Sequence, residues 1–488
     1  MSAVPLAAIL MAVDPQGRVL VGERRRDLAF LPGFTVFPGG SLSAADQAVA
    51  AEVFGRSDLE AALKVAALRE LMEEAGLFWD GRRLVAIPAE ADGLSLVETA
   101  ARLGLPLRID PLPRLARFVT PAFSPTRFDT HCFLLEAEEI AAPRSVDGEL
   151  ARVFIEAPGR IIDAWRNFQA LLAPPTRMSL AALAEGAGAA AALEVADGAQ
   201  GQDVYYFESV PGIRTVPLRT PTLPPATHTN CYFVGTERVL IVDPATYEEG
   251  ERAHLLLEIE RYQRSHGRRP WMVLLTHHHG DHVGSANFLR ETLGIPVAAH
   301  PRTAALLEGQ IAIDVLVEAG DRLELGSAEQ PFPVEALHTP GHAPGHLVLA
   351  DRRPGSGAMI VGDMIASIGT IIIDPPEGDM GEYLRQLQRL KAESPRILFP
   401  AHGLPVVEAV AKLDQYVAHR LLREAKVVGA LEHHRGRPQT PEGLLPLAYD
   451  DVPEAIYPLA ARSCLAHLLK LLEEGRVHRS AEDHFEIA

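Results

Sequence analysis

The densest chemistry in this 488-residue chain is Thr276 to His282, reading THHHGDH. Neutral imidazole together with carboxylate is the donor mixture that suits zinc, and two cations a few ångströms apart need many such donors in a small volume. The apolar run ahead of it, Trp271 to Thr276, predicts a buried strand, with Gly280 forcing a tight loop after it. Side chains two apart share a face, so His277 and His279 leave the strand end on the same side. Asp281 and His282 follow on the loop and turn toward a second point.

Three more polar residues sit in Gly/Pro loops beside apolar runs: His342 in HTPGHAPGH, Asp363 in MIVGDMI and His402 in LFPAHGLP. Loops at strand ends carry grafted chemistry on α/β scaffolds. With these the chain resembles the metallo-β-lactamase superfamily, whose signature is H-x-H-x-D-H followed by a distant His, Asp and His. The resemblance implies that His277, His279 and His342 hold one metal, that Asp281, His282 and His402 hold the other, and that Asp363 bridges. It implies two zinc ions, with iron or manganese as substitutes, and a hydrolysis by metal-held hydroxide in which Asp281 is also a catalytic carboxylate. Asp243 in LIVDPAT matches a family aspartate that orients the metal-binding loop. His278 and His338 read as loop-packing residues, His300 as structural, and His346 as the histidine that touches substrate.

A second cluster lies far upstream. Glu70, Glu73 and Glu74 in RELMEEAGL fall at i, i+3 and i+4, one face of a helix, while Leu71 and Met72 turn toward a core. Carboxylates so placed can bind magnesium and bridge to substrate phosphates. The segment resembles the second half of the Nudix box, and Phe37-Pro-Gly-Gly40 its glycine-rich start. Gly40 and Arg69 stand 29 positions apart, roughly twice the separation in the pattern, which makes an insertion. Glu60 is the candidate for the box's first glutamate. Such an insertion, with Val19-Leu-Val-Gly-Glu-Arg24, FLPGFTVFPGG and Leu172-Ala-Pro-Pro175 ahead of MSLAALAE, resembles the peroxisomal coenzyme A diphosphatases. That likeness implies magnesium or manganese on Glu70, Glu73 and Glu74, which are then catalytic, and attack of water on a diphosphate. Arg69 braces the helix by pairing with a glutamate. Arg24, Gly39 and Gly40 are substrate-facing candidates, and Arg25 and Arg26 extend the basic stretch toward phosphates.

These clusters need scaffolds, and a chain of this length suggests two to three domains. Hydrophobic content of 47% and charged content of 23% are those of an ordinary globular protein. The net charge of −18 disfavours a broad grip on nucleic acid. Cys132, Cys231 and Cys464 are odd in number and far apart, which supports neither a disulfide framework nor a CxxC zinc site. The apolar N-terminus lacks a basic leader and reads as a first strand, and no stretch reaches transmembrane length without charge or Pro/Gly interruption. The expectation is a cytoplasmic protein without a membrane partner, for which a homo-oligomer remains compatible.

The expected fold class is a multidomain α/β chain. Residues 1–190 form a Nudix α/β/α domain opening on a hairpin, with strands 4–13 and 18–23 around an Asp14–Gly17 turn. Residues 191–203 form an Ala/Gly-rich linker. Residues 204–412 form a metallo-β-lactamase αββα sandwich, with opening strands near 205–211, 213–218, 230–234 and 239–242. The tail, 413–488, with helices around 406–429 and 457–474 and EEGRVHR turning into a β-wing, resembles the winged-helix domain that ends a subgroup of the superfamily. That subgroup includes a mitochondrial endoribonuclease. Glu424, Asp450, Asp451, Glu473 and Glu474 interleave with the tail's basic residues, so packing or substrate gating is favoured over nucleic acid.

The same seven ligands serve thioester, ester or phosphodiester hydrolysis. Acidity and a coenzyme A-directed first domain lean toward a small nucleotide or acyl-thioester substrate. The alternatives are an RNA-processing endoribonuclease and a Nudix part that binds nucleotide without cleaving it.

Overall fold

The structure is a computed structural model, which describes residues 4–28, 30–120, 126–146, 148–185, 207–367, 369–481 and 483–488. The expected linker, 191–203, lies outside the described residues. The chain divides into two compact units, Met1–Arg214 and Thr215–Ala488.

The first unit is built on a sheet whose main path runs Leu171–Leu172, Phe34–Val36, Val19–Arg24, Leu6–Val13, Asp129–Glu136 and Arg114–Val119. Strand Leu6–Val13 alternates strictly. Ala8, Leu10 and Ala12 join one core, with helix Leu59–Ala75, while Met11 joins the other, with Ile161, Ile162 and Trp165 of helix Pro158–Arg166. The period of two therefore gives one sheet two apolar faces, each covered by helices. The hairpin turn is held by Asp14, whose Oδ1 accepts the amides of Gln16 and Arg18 at 3.0 and 2.8 Å.

The Ala-rich stretch is two helices, Ala44–Phe54 and Leu59–Ala75. The first opens on a capping box in which the Ser43 hydroxyl accepts the Asp46 amide and the Asp46 carboxylate accepts the Ser43 amide. Such a cap is worth about 1 kcal/mol. Asp58 caps the second.

The second unit holds two sheets. One includes, in order, Ile213–Arg219, His228–Val234, Arg238–Val242, Arg269–Leu275, Val297–Ala299 and Val315–Leu316. The other runs Arg322–Glu324, Pro333–His338, Leu347–Asp351, Ala358–Gly362 and Ile397–Pro400. The sheets meet at their strand ends. Leu347 donates its amide to Thr276 O at 2.9 Å, and Asn230 donates its amide to Ala401 O at 2.8 Å. Helix Met380–Ala392 and the first half of helix Ala409–His433 cover the second sheet.

The C-terminal segment has helices Pro441–Ala448 and Tyr457–Glu473 followed by a hairpin of Val477–Ala481 and His484–Ile487. The stretch Glu454–Glu473 has the length and mean hydropathy, 1.2, of a membrane span. Pro458, Arg462 and Lys470 interrupt it, so it stays within the expectation that no stretch of that length would be free of charge and Pro/Gly. The helix buries Cys464, Leu468 and Leu471 in the C-terminal core, so its apolar side serves packing.

Candidate metal centre

Each ligand candidate stands where a strand of the second unit ends. Strand Arg269–Leu275 delivers Thr276 and His277. Gly280, expected to force a tight loop, instead begins a helical turn, Gly280–Val283, with His279 at its N-cap. The turn carries Asp281 and His282 inward, and an open strand end would not bring them as close.

Three ring nitrogens converge: His277 Nε2 lies 3.0 Å from His279 Nδ1, and His342 Nε2 lies 3.3 Å from the first and 3.0 Å from the second. These contacts are not all hydrogen bonds. His342 Nδ1 faces Ile372 O at 2.8 Å, an acceptor only, so that nitrogen carries the proton and Nε2 is bare. His277 Nδ1 lies 3.0 Å from Thr276 Oγ1, whose hydrogen goes to Asp243 Oδ2 at 2.7 Å. The proton is again on Nδ1, and two bare lone pairs face one another. A cation between them is the chemistry that fits.

The second group is arranged the same way. His282 Nδ1 donates to Asp243 Oδ2 at 2.8 Å, and His402 Nδ1 donates to His228 O at 3.0 Å. Both Nε2 atoms thereby face the centre, and that of His282 is buried without a hydrogen-bond partner. Around them lie Asp281, 3.9 Å from His282 Nε2 and 3.7 Å from His402 Nε2, and Asp363. Asp363 Oδ1 is 3.6 Å from His282 Nε2 and 3.4 Å from His402 Nε2, while Oδ2 is 3.5 Å from His342 Nε2. One carboxylate thus addresses both groups. Among the described residues, His277, His279 and His342 can close on one ion, and so can Asp281, His282 and His402.

Electrostatics follow from burial and neighbours. Burial holds His277 far below the ordinary imidazole range, and burial, then His342, push His279 down to about 2. Burial also opposes charge on His282, yet the Asp363 and Asp243 carboxylates outweigh it and lift His282 well above the usual value. Asp363 is held well below the carboxylate range because His402 and His282 outweigh its own burial. The cluster is therefore neutral imidazole on one side and carboxylate-rich on the other.

Asp243 also takes the Thr276 amide, on its Oδ1 at 2.7 Å. His346 does not meet its expectation as a substrate contact. It is 0% exposed, its Nδ1 pairs with Thr339 Oγ1 at 2.9 Å, and its Nε2 accepts the Asp363 amide at 3.1 Å. It can approach this closely because Gly362, at φ +47°, has no Cβ; one would lie 2.6 Å from His346 Nε2. His338 donates to Pro344 O at 2.9 Å and stacks on His300 with ring centroids 4.1 Å apart, so both pack the loop.

Residues missed in the sequence complete the site. Asn230 donates its side-chain amide to Pro400 O and Gly403 O, both at 2.8 Å, and so frames His402. Glu377 pairs at 2.7 Å with His278, which was expected to pack the loop, and Tyr247, 52% exposed, reaches toward Gly280.

In the first unit, Arg69 Nη1 donates to Glu70 at 2.9 Å and to Glu73 at 2.7 Å, so two candidate glutamates share one guanidinium. Glu74 takes the Gly39 amide at 2.9 Å. Gly40 lies against Glu70, whose Oε1 would be 2.3 Å from any Cβ there. The three carboxylates are not gathered within reach of one ion: among the described residues, every such group of His, Cys, Asp or Glu lies in the second unit. Arg69 also binds Asp46, through Nε at 2.9 Å, and Asp46 is 1% exposed. Asp46 rather than Glu60 is thus the upstream carboxylate that meets Arg69, and Glu60 pairs instead with Lys64 at 3.1 Å. Arg24 differs from its expected phosphate contact: it donates to Phe30 O at 3.1 Å and to Glu149 at 3.3 Å, bracing the stretch that follows it. Arg25 pairs with Asp27.

Residues 224–402 match the metallo-beta-lactamase superfamily, and residues 440–484 match the beta-lactamase associated winged helix domain. The beta-lactamase-like protein 2 homolog of Drosophila melanogaster is 29% identical over 268 residues, 53% of this chain and 87% of that protein. An atrochrysone carboxyl ACP thioesterase of Passalora fulva is 28% identical over 219 residues, 43% of this chain and 59% of its own. The crystal structure of a NUDIX hydrolase from Alicyclobacillus acidocaldarius is 29% identical with a TM-score of 0.35, covering 40% of this chain and 97% of its own.

Proposed function

We propose that this chain, which carries a metallo-beta-lactamase domain followed by its associated winged helix domain, is a dinuclear metallohydrolase of a small acyl thioester. The observation that carries the reading is the proton arrangement. Four imidazoles, those of His277, His282, His342 and His402, hand their Nδ1 hydrogens to the scaffold, and Asp363 points one oxygen at each trio. His277 Nε2, His279 Nδ1 and His342 Nε2 would hold one ion, Asp281, His282 and His402 the other, and Asp363 would join them. Nitrogen with carboxylate oxygen suits zinc, and iron or manganese accept the same donors. When bound, such a pair acidifies a water and polarises the oxygen of the bond under attack.

The chain's own residues supply the rest. Asp243 keeps His282 Nδ1 protonated and fixes the Thr276 backbone, so the ligands arrive in register. Asp281, with a fifth of its side chain exposed, faces the open side, where it can take a proton from an entering water. His278 and Glu377 with Tyr247 form the polar and aromatic rim that a substrate would meet.

Thioester is favoured over RNA by the C-terminal charges. Arg423 pairs with Asp451, Lys426 with Asp450, Lys470 with Glu424 and Glu474, and Arg476 with Glu424, so these cations are already neutralised rather than offered to phosphates. The thioesterase relative supports the same choice. The first unit would cleave a nucleoside diphosphate linkage of a coenzyme A-like substrate, with magnesium or manganese on Glu70, Glu73 and Glu74. A second reading, in which it binds the nucleotide without cleaving it, is favoured by the sharing of Glu70 and Glu73 by Arg69 and by the ungathered carboxylates. Cytoplasmic location belongs to the same reading, since both substrates are soluble metabolites.

The test is a mass-spectrometric panel of coenzyme A, acyl-coenzyme A, ADP-ribose, acylglutathione and single-stranded RNA, offered to wild type, His279→Ala and Glu74→Gln in zinc and in magnesium. Thioester cleavage lost only in His279→Ala supports the main reading. RNA cleavage lost in that variant, with thioesters untouched, contradicts it. Diphosphate cleavage lost only in Glu74→Gln makes the first unit an enzyme, and tight binding without turnover makes it a module.

A further inference from the structure

One helix belongs to two cores. The first half of Ala409–His433 carries Leu413 and Tyr416 into the core beneath the second sheet. Its last turns carry Val427, Ala430 and Leu431 into the C-terminal core with Cys464 and Leu468. Between them lies Arg420, 3% exposed. Its Nη2 donates to Ile371 O, and its guanidinium lies 5.5 Å from the centre of the Tyr383 ring. One turn earlier, the Tyr416 hydroxyl accepts the Ala366 amide at 2.8 Å and donates to Ala366 O at 3.0 Å. Both partners lie on the loop that leaves Asp363.

The next carbonyl after Ile371 is that of Ile372, which accepts His342 Nδ1 at 2.8 Å. Successive carbonyls are separated by a single residue's two rotations, so anchoring one restricts the direction of the other. Without the anchor, the direction of Ile372 O rests on the packing of Ile371 and Ile373, and the His342 tautomer whose Nε2 is bare is less strongly favoured.

We infer that Arg420 and Tyr416 are positioning residues for the metal centre, holding the loop after Asp363 so that Ile372 keeps His342 in its ligating tautomer. The inference rests on the dinuclear reading above and gives the C-terminal domain a role in it: that domain's core fixes the helix that presents Arg420. Arg420 bears on the His277/His279/His342 trio. Asp243 and the His228 carbonyl orient His282 and His402 independently of it.

Zinc stoichiometry and the dissociation constant of each zinc, by chelator competition on the full chain, test this in wild type, Arg420→Met and Arg420→Lys. Arg420→Met should weaken one zinc about 10- to 100-fold and leave the other unchanged, the usual effect of losing a group that orients a ligand. Arg420→Lys, which keeps a donor for Ile371 O, should recover much of the loss, a rescue that a packing role would not show. Two zincs at wild-type affinity in Arg420→Met overturn the inference, as does equal weakening of both. Should Arg420→Met fail to fold, Tyr416→Phe, which removes one hydroxyl, carries the test: unchanged zinc affinity in it overturns the inference. A wild-type chain that binds no zinc, iron or manganese instead sinks the dinuclear reading itself.

Discussion

His282 Nδ1 lies 2.8 Å from Asp243 Oδ2, and both side chains are almost completely buried. The same carboxylate takes the amide and hydroxyl of Thr276, so one residue sets the direction of the strand end and the tautomer of the ligand. Asp243→Ala should lower metal affinity about 10- to 100-fold. Isothermal titration of metal into stripped protein measures it, and wild-type affinity would show that His282 orients without this partner.

His346 holds the Asp363 amide from inside the protein. His346→Ala should therefore lower metal occupancy about tenfold at limiting zinc and leave KM of the loaded fraction unchanged. A raised KM at full occupancy would restore the substrate contact that its sequence position suggested.

Burial raises the Glu70 carboxyl to about 7, against the opposing pull of Arg69. A carboxyl raised on folding remains protonated where the unfolded chain is already ionised, so it costs the cation-free protein stability above the ordinary value, with the full cost reached above about 7. A cation on Glu70 must displace that proton. Magnesium affinity of the zinc-loaded chain should fall about tenfold per pH unit below 7, and in Glu70→Gln it should be weak at every pH. Affinity independent of pH between 6 and 8 would place the cation elsewhere.

Glu424 is buried beneath Lys470 and Arg476, its Oε2 2.7 Å from Lys470 Nζ and its Oε1 2.9 Å from Arg476 Nη1. Burial alone would raise its carboxyl; the neighbouring His467 ring, 3.9 Å away, and the Lys470 hydrogen bond outweigh it and hold it at about 2. A lowered folded value means stability present at neutral pH and lost as pH falls from the ordinary carboxylate range toward 2. Glu424→Gln should cost about 2 kcal/mol at pH 7, with the gap to wild type narrowing in acid. Thermal unfolding at several pH values reads both.

The metal-centre residues were legible because each is a polar residue in a Gly/Pro loop where an apolar run ends, a pattern that survives in one dimension. The supports were not. Arg420 and Tyr416 reach partners 49 and 50 positions away, and Asn230 reaches one 170 away, distances over which spacing carries no signal. His346 looked like its neighbour His342, and only packing reveals that it is sealed in. Asp46 was passed over because the stretch around it reads as alanine helix, and only folding brings it to Arg69, 23 positions on. The strand Leu6–Val13 was legible, but its sequence is apolar throughout, so the two covered faces of its sheet show only in the packing. The helical turn at Gly280 was not, since glycine reads as a loop former.

The most direct measurement is hydrolysis of an acyl thioester by the full chain as zinc is added back to stripped protein, followed as turnover against zinc bound per chain. The account predicts negligible turnover without metal, a rise that ends at two ions per chain, and none at any loading in His279→Ala. Turnover that persists in stripped protein, or a fully loaded chain that leaves thioesters intact while cutting RNA, would contradict it.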